Sequence, residues 1–125
     1  MQKRNRPKNL NLFTIRLPIN AIVSIMHRMS GMALFVMIPA LLWALNASTE
    51  SAQTYVELSL LLTHWLVKLL LIALSWAFFH HFYAGLRHLA MDVHWMTSLQ
   101  KARLSSRFVL VLVAISVIFF AISIW

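Results

Sequence analysis

Three histidines, one arginine and one aspartate fall within the thirteen positions 80–92, HHFYAGLRHLAMD, near the end of a long apolar run. Ionisable groups in lipid are costly, so they face a bundle interior and mark a functional site. At helical spacing His81, Gly85, His88 and Asp92 fall on one face, at steps of four, three and four. A glycine one turn from a histidine leaves space beside the imidazole, enough for a flat ligand to approach the backbone.

A second cluster lies in an earlier apolar run: Ser24, His27, Arg28, Ser30 and Gly31. Ser24, His27, Arg28 and Gly31 stand at i, i+3, i+4 and i+7, one helical stripe. A neutral imidazole in a membrane is a good axial ligand for haem iron. Guanidinium groups such as Arg28 and Arg87 suit anionic haem propionates. A serine beside an arginine, here Ser24 and Arg28, suits a quinone carbonyl that gains negative charge on reduction. The residues alone point to a haem or a quinone site and leave the two open. Zinc fits less well, because it takes three or four close ligands and no paired cysteine or carboxylate supplies them. For His64, His80 and His94 the plainer role, a hydrogen bond to a neighbouring helix, competes evenly. Lys68 is read as structural.

Those clusters need elements to hold them. The chain has 125 residues, 61% of them hydrophobic, against roughly 45–50% apolar in soluble domains. The expected fold is all-α: one integral membrane domain, residues 1–125, a bundle of three transmembrane helices behind a short basic N-terminal segment. The spans are expected at about 21–45, 58–92 and 107–125, because a bilayer core of roughly 30 Å takes about 20 helical residues. The second is longer than a span needs and implies tilt or extension beyond the lipid. Pro39 lies inside the first and is tolerated there, often with a kink. Pro18 suits a helix start and Asn20 an N-cap. The polar stretch 46–57 is expected as a loop and 93–106 as a connector; Trp125 suits an interfacial belt.

No cysteine is present, which excludes a disulfide framework, iron–sulfur ligation by this chain and covalent haem attachment through Cys-x-x-Cys-His. The basic start is not expected to be a cleavable signal, since the apolar run after it is long enough to span. A net charge of +8 would raise nucleic-acid binding in a soluble protein. Here the cations gather at the ends of apolar runs, so no nucleic-acid partner is expected and the charge reads as membrane orientation. Five stand in the lead-in (Lys3, Arg4, Arg6, Lys8 and Arg16), none in 46–57, and Lys101 and Arg103 lie in the connector, flanked by Arg87 and Arg107. The N-terminus is therefore expected in the cytoplasm and the C-terminus outside. Arg28 then lies roughly 10 Å in from Ala21 and His81 roughly 16 Å in from Asp92, both in the cytoplasmic half, with His27 nearer the edge than His81.

Taken together, Arg6-Pro7, then Ser24-x-x-His27-Arg28-x-Ser30-Gly31, then His81-x-x-x-Gly85-Leu86-Arg87-His88-x-x-x-Asp92 resemble the larger cytochrome b membrane-anchor subunit of succinate dehydrogenase, respiratory complex II. The likeness covers nearly the whole chain. It departs from the family at His80, a rival ligand directly before the matched histidine, and at Lys8, which bears on no site. The resemblance implies that His81 is one axial ligand of a haem b, and that a second, smaller anchor subunit supplies the other. It implies that Ser24 and Arg28 line a ubiquinone site and that His27 and Arg28 meet haem propionates. A flavoprotein and an iron–sulfur subunit would dock on the cytoplasmic face of a bacterial inner membrane and pass electrons from succinate to ubiquinone. The bottom-up reading agrees on one point: no second histidine stands opposite His81 at its depth on another span. Two alternatives stand beside this one: the anchor of a fumarate reductase working in reverse, and a small structural or assembly subunit without a cofactor.

Overall fold

The computed structural model describes residues 16–95 and 97–125. Lys3, Arg4, Arg6, Pro7 and Lys8 lie outside the described residues. Four helices follow in order: α1 (Ile19–Glu50), α2 (Ala52–Thr63), α3 (Trp65–Asp92) and α4 (Leu99–Ile124). Among the described residues there is no strand. Three helices, α1, α3 and α4, are long and apolar enough to cross a membrane.

Burial inverts the pattern of a soluble protein. The buried side chains are mainly small or polar: Ser30, Ser75, Ala77, Ala84, Ala102 and Ser106, with Val23, Val109 and Val113. Large apolar residues such as Phe35, Leu42, Leu70, Phe82, Phe119 and Ile122 stay exposed. Lipid tails are as apolar as leucine, so membrane helices gain by close backbone approach between small residues. α3 is the central element and packs against both α1 and α4. Its Tyr83 hydroxyl meets Ser116 Oγ at 3.0 Å. Its Arg87, 6% exposed, donates from Nε to Ser105 Oγ at 3.0 Å and from a terminal guanidinium nitrogen to the Ala102 carbonyl at 3.3 Å. α1 and α3 run antiparallel: His27 meets His81 and His88, while Leu34 and Leu41 lie with Leu71, Leu74 and Phe78.

The helix ends differ from those expected, for local reasons. α1 begins at Ile19 with Pro18 in the N-cap position and no side-chain cap. Asn20 is therefore inside the helix, not its cap, and its Oδ1 is buried without a partner among the described residues. α1 passes through Pro39 and continues to Glu50. Residues 46–50 stay helical, and their polar side chains bond within the helix. Ser48 Oγ and Thr49 Oγ1 donate to the Leu45 carbonyl at 2.7 and 3.1 Å, and Asn46 donates to Glu50 at 3.3 Å. The expected loop shrinks to Ser51. There a reciprocal capping box, Thr54 N–H to Ser51 Oγ and Ser51 N–H to Thr54 Oγ1, each 3.1 Å, opens α2.

The second leg, expected as one helix over 58–92, is broken at His64. This residue is extended, and its Nδ1 accepts from the Leu66 N–H at 3.3 Å, so a histidine caps α3. α3 stops at a Schellman-type turn. His94 takes φ 61°, its N–H donates to the Met91 carbonyl at 2.9 Å, and the Trp95 N–H donates to the Ala90 carbonyl at 3.0 Å. α4 starts at Leu99, with Ser98 Oγ accepting from the Lys101 N–H at 3.4 Å. The expected connector over 93–106 thus gives up its second half to helix. Its serines bond back to the Ala102 carbonyl, Ser106 at 2.8 Å and Ser105 at 3.1 Å.

Candidate functional site

The two histidine-bearing stripes meet where α1 crosses α3. The His27 and His81 rings stack with centroids 4.1 Å apart and planes 9° from parallel. His88 lies against the other side of this pair, 5.0 Å from the His27 ring and tilted by 58°. Each of the first two rings is seated on the opposite helix at a glycine. A Cβ built on Gly31 of α1 would stand 2.8 Å from His81 Cε1 and 3.1 Å from its Nδ1. A Cβ built on Gly85 of α3 would stand 3.4 Å from His27 Nε2. The space expected beside Gly85 for a flat ligand is therefore taken by the His27 imidazole.

The stacking also corrects the depth placed on His27. Counted from the observed helix starts and ends, His27 lies about 12 Å into α1 and His81 about 16 Å from the end of α3. Their rings nevertheless sit at one level. The ends of the two helices are not flush, so counting from each end misplaces one against the other. A second histidine does stand beside His81, contrary to the reading from spacing.

The hydrogen bonds distinguish the neighbouring histidines 80 and 81. His81 Nδ1 lies 3.1 Å from the His27 carbonyl and 3.4 Å from Ser30 Oγ. Ser30 Oγ itself donates to that carbonyl at 2.8 Å. A ring nitrogen facing a carbonyl oxygen must carry the proton, which fixes His81 as the Nδ1–H tautomer. Its Nε2 is then a lone pair, bonded to no described residue. His80 points elsewhere. It is fully buried, stacks on Trp76 at 5.5 Å, and has Nε2 3.3 Å from the Val23 carbonyl. His80 Nδ1 is buried with no partner among the described residues.

The remaining candidates divide. Ser24 is half-buried and Arg28 exposed; neither bonds a described side chain or carbonyl. They are separate from the His27–Gly31 seat although they share its stripe in sequence. Arg87, read as a second cation for an anionic group, is spent on α4. Asp92 is exposed at the end of α3. His64 and His94 serve as helix cap and helix stop, away from the cluster. Spacing did not single out Ser30 and Gly31 as a seat for His81. A signal for it was present: the whole chain holds two glycines, Gly31 and Gly85, one in each histidine stripe.

Residues 2–120 match the model of a family described as succinate dehydrogenase/fumarate reductase transmembrane subunit. A succinate dehydrogenase cytochrome b556 subunit of Coxiella burnetii is 39% identical over 122 residues, covering 96% of this chain and 97% of that protein. The subunit of the same name from Paracoccus denitrificans is 35% identical, over 86% of this chain and 82% of its own length. A third, from Rickettsia felis, is 32% identical over 80% of this chain and 77% of that protein.

The seat at Gly85 is tight but not overfilled. Gly85→Ala is expected to be tolerated, since its Cβ meets His27 at ordinary contact distance. Gly85→Leu should force the helices apart at a cost of about 1–3 kcal/mol. Thermal unfolding of the purified protein in detergent checks this; equal midpoints for the two variants would contradict the packing described.

Proposed function

The chain belongs to the family of succinate dehydrogenase/fumarate reductase transmembrane subunits, and we propose that it binds a haem b through His81 and forms part of a ubiquinone-reduction site. As a membrane subunit of this complex it associates with the catalytic subunits and with the bilayer. The names carried by its relatives favour succinate as the electron source over the fumarate reductase alternative, and their cytochrome b556 designation favours a b-type haem over a cofactor-free subunit.

The observation that carries the haem assignment is the held imidazole. His81 Nδ1–H is anchored on the His27 carbonyl, and Nε2 is left as the donor atom. Metal-bound histidines characteristically donate their other ring N–H to a carbonyl or carboxylate, which fixes the tautomer and raises ligand basicity. His80 has the mirror arrangement, with Nε2 at the Val23 carbonyl and Nδ1 as the lone pair, but that Nδ1 is enclosed and out of a ligand's reach. His27 is excluded as the second axial ligand. Two rings stacked face to face at 4.1 Å leave no gap for a macrocycle between them. The family resemblance assigns the second ligand to another, smaller anchor subunit, and the stacked His27 is consistent with that assignment. When bound, the haem supplies a one-electron redox centre. Arg28, exposed and next to His27, is placed to meet propionates together with that histidine through charge-assisted hydrogen bonds.

Ser24 and Arg28 stand one turn apart on the open flank of α1. There the Ser24 hydroxyl can donate to a quinone carbonyl. The Arg28 charge stabilises the negative charge that grows on that oxygen as it is reduced. Succinate is oxidised elsewhere, on the flavoprotein, and its electrons arrive through the iron–sulfur subunit. The membrane is a bacterial inner membrane, with the N-terminus and the α3–α4 turn on the cytoplasmic side. Arg87, Lys101, Arg103 and Arg107 gather at that end, and Glu50 and Glu57 at the other.

Two substitution sets test the reading. His81→Leu should abolish or strongly alter the reduced b-type absorbance of the purified complex, while His80→Leu keeps it; the opposite pattern would move the ligand to position 80. Ser24→Ala and Arg28→Leu should each lower succinate-to-ubiquinone turnover by about tenfold or more, the cost of one hydrogen bond to a charged group. Succinate oxidation by an artificial acceptor that bypasses the membrane should be unchanged. An equal loss of both activities would make these residues determinants of assembly.

A further inference from the structure

We propose that Gly31 positions the His81 imidazole: by lacking a side chain it opens the His27 carbonyl to the ring from α3, and so fixes which nitrogen His81 presents. The inference rests on His81 being the haem ligand, as argued above, and concerns a residue that never touches the haem.

The geometry follows from helix construction. In an α-helix the carbonyl of residue i points toward the C-terminus and accepts from the N–H of residue i+4. Cβ atoms tilt the other way, toward the N-terminus, so the side chain at i+4 lies over the carbonyl at i. For His27 the covering residue is Gly31. A side chain there would narrow the approach to the carbonyl on that flank. With glycine the carbonyl is open on that flank, and His81 Nδ1 reaches it at 3.1 Å.

The same absence gives the ring its place. A Cβ at position 31 would stand 2.8 Å from Cε1, closer than carbon contacts are found in proteins, and 3.1 Å from Nδ1, tighter than most. The obstructing atoms belong to an imidazole held on one face by His27 at 4.1 Å, so the ring cannot yield without losing its bond to the carbonyl. Gly85 makes the matched comparison. It lies in the same helix crossing, but its added Cβ would meet His27 Nε2 at 3.4 Å and not His81. Ser30 supports the seat from beside it, donating to the same carbonyl at 2.8 Å. An imidazole that donates Nδ1–H to a carbonyl is a stronger electron donor at Nε2, which favours ferric over ferrous iron. Losing that bond raises the potential.

The test uses the purified complex carrying Gly31→Ala, Gly85→Ala or His81→Leu beside the unaltered protein. Its readouts are the low-spin ferric EPR g values and the haem midpoint potential. Gly31→Ala should shift the g values and move the potential upward, while Gly85→Ala matches the unaltered complex. No shift in Gly31→Ala, or an equal shift in Gly85→Ala, overturns the positioning role. His81→Leu separates the two claims. If it keeps the native signals, the ligand assignment falls. If it loses them while Gly31→Ala does not differ from the unaltered complex, only the role of Gly31 falls. Should Gly31→Ala fail to accumulate in membranes, the double variant with His81→Ala decides. Accumulation above that of Gly31→Ala alone supports a clash with the ring, and an unchanged level overturns it.

Discussion

Two antiparallel helices exchange imidazoles across two glycines, and the rest of the structure follows from that contact. His27 lies on Gly85 and His81 lies on Gly31, with their rings face to face. Close approach is the main way membrane helices gain from packing, because lipid is as good a solvent for leucine as a protein interior. Here the approach is made at glycine and filled by polar rings. A ring between two backbones has few rotamers left, and the His27 carbonyl removes the choice of tautomer. The imidazole is thereby held in one orientation.

The other polar groups sort around this contact by what they bond. Arg87 turns away to α4, where Ser105 and the Ala102 carbonyl hold it, and so ties α3 to α4. His80 turns to the Val23 carbonyl and stacks on Trp76, tying α1 to α3 on the flank away from His81. Arg28 stays exposed and Ser24 half-buried, apart from the stacked rings.

The three spans were legible in the sequence because hydropathy over some twenty residues is a strong signal. The histidine cluster was legible because ionisable groups are rare in lipid. The polar stretch after Leu45 misled, since serine and threonine can bond back to carbonyls and remain helical. The break at His64 was hidden because histidine is an uncommon cap, and the start of α4 at Leu99 was missed because the third span was read from its apolar run alone. Spacing put Ser24, His27, Arg28 and Gly31 on one stripe in the same half of the membrane as the His81 cluster, but did not show which of the four face it. The stripe is wide enough that His27 and Gly31 face α3 while Arg28 faces out. Depth counted from separate helix ends could not show that His27 and His81 are level, because the stagger of two helices is set by their contact.

The most direct measurement is a high-resolution experimental structure of the assembled complex in its membrane mimetic. The account predicts His81 Nε2 on the haem iron, with Nδ1 within hydrogen-bond distance of the His27 carbonyl and the ring seated against Gly31. A His81 ring turned into lipid, or an iron held by position 80 with the Gly31 seat empty, would contradict it.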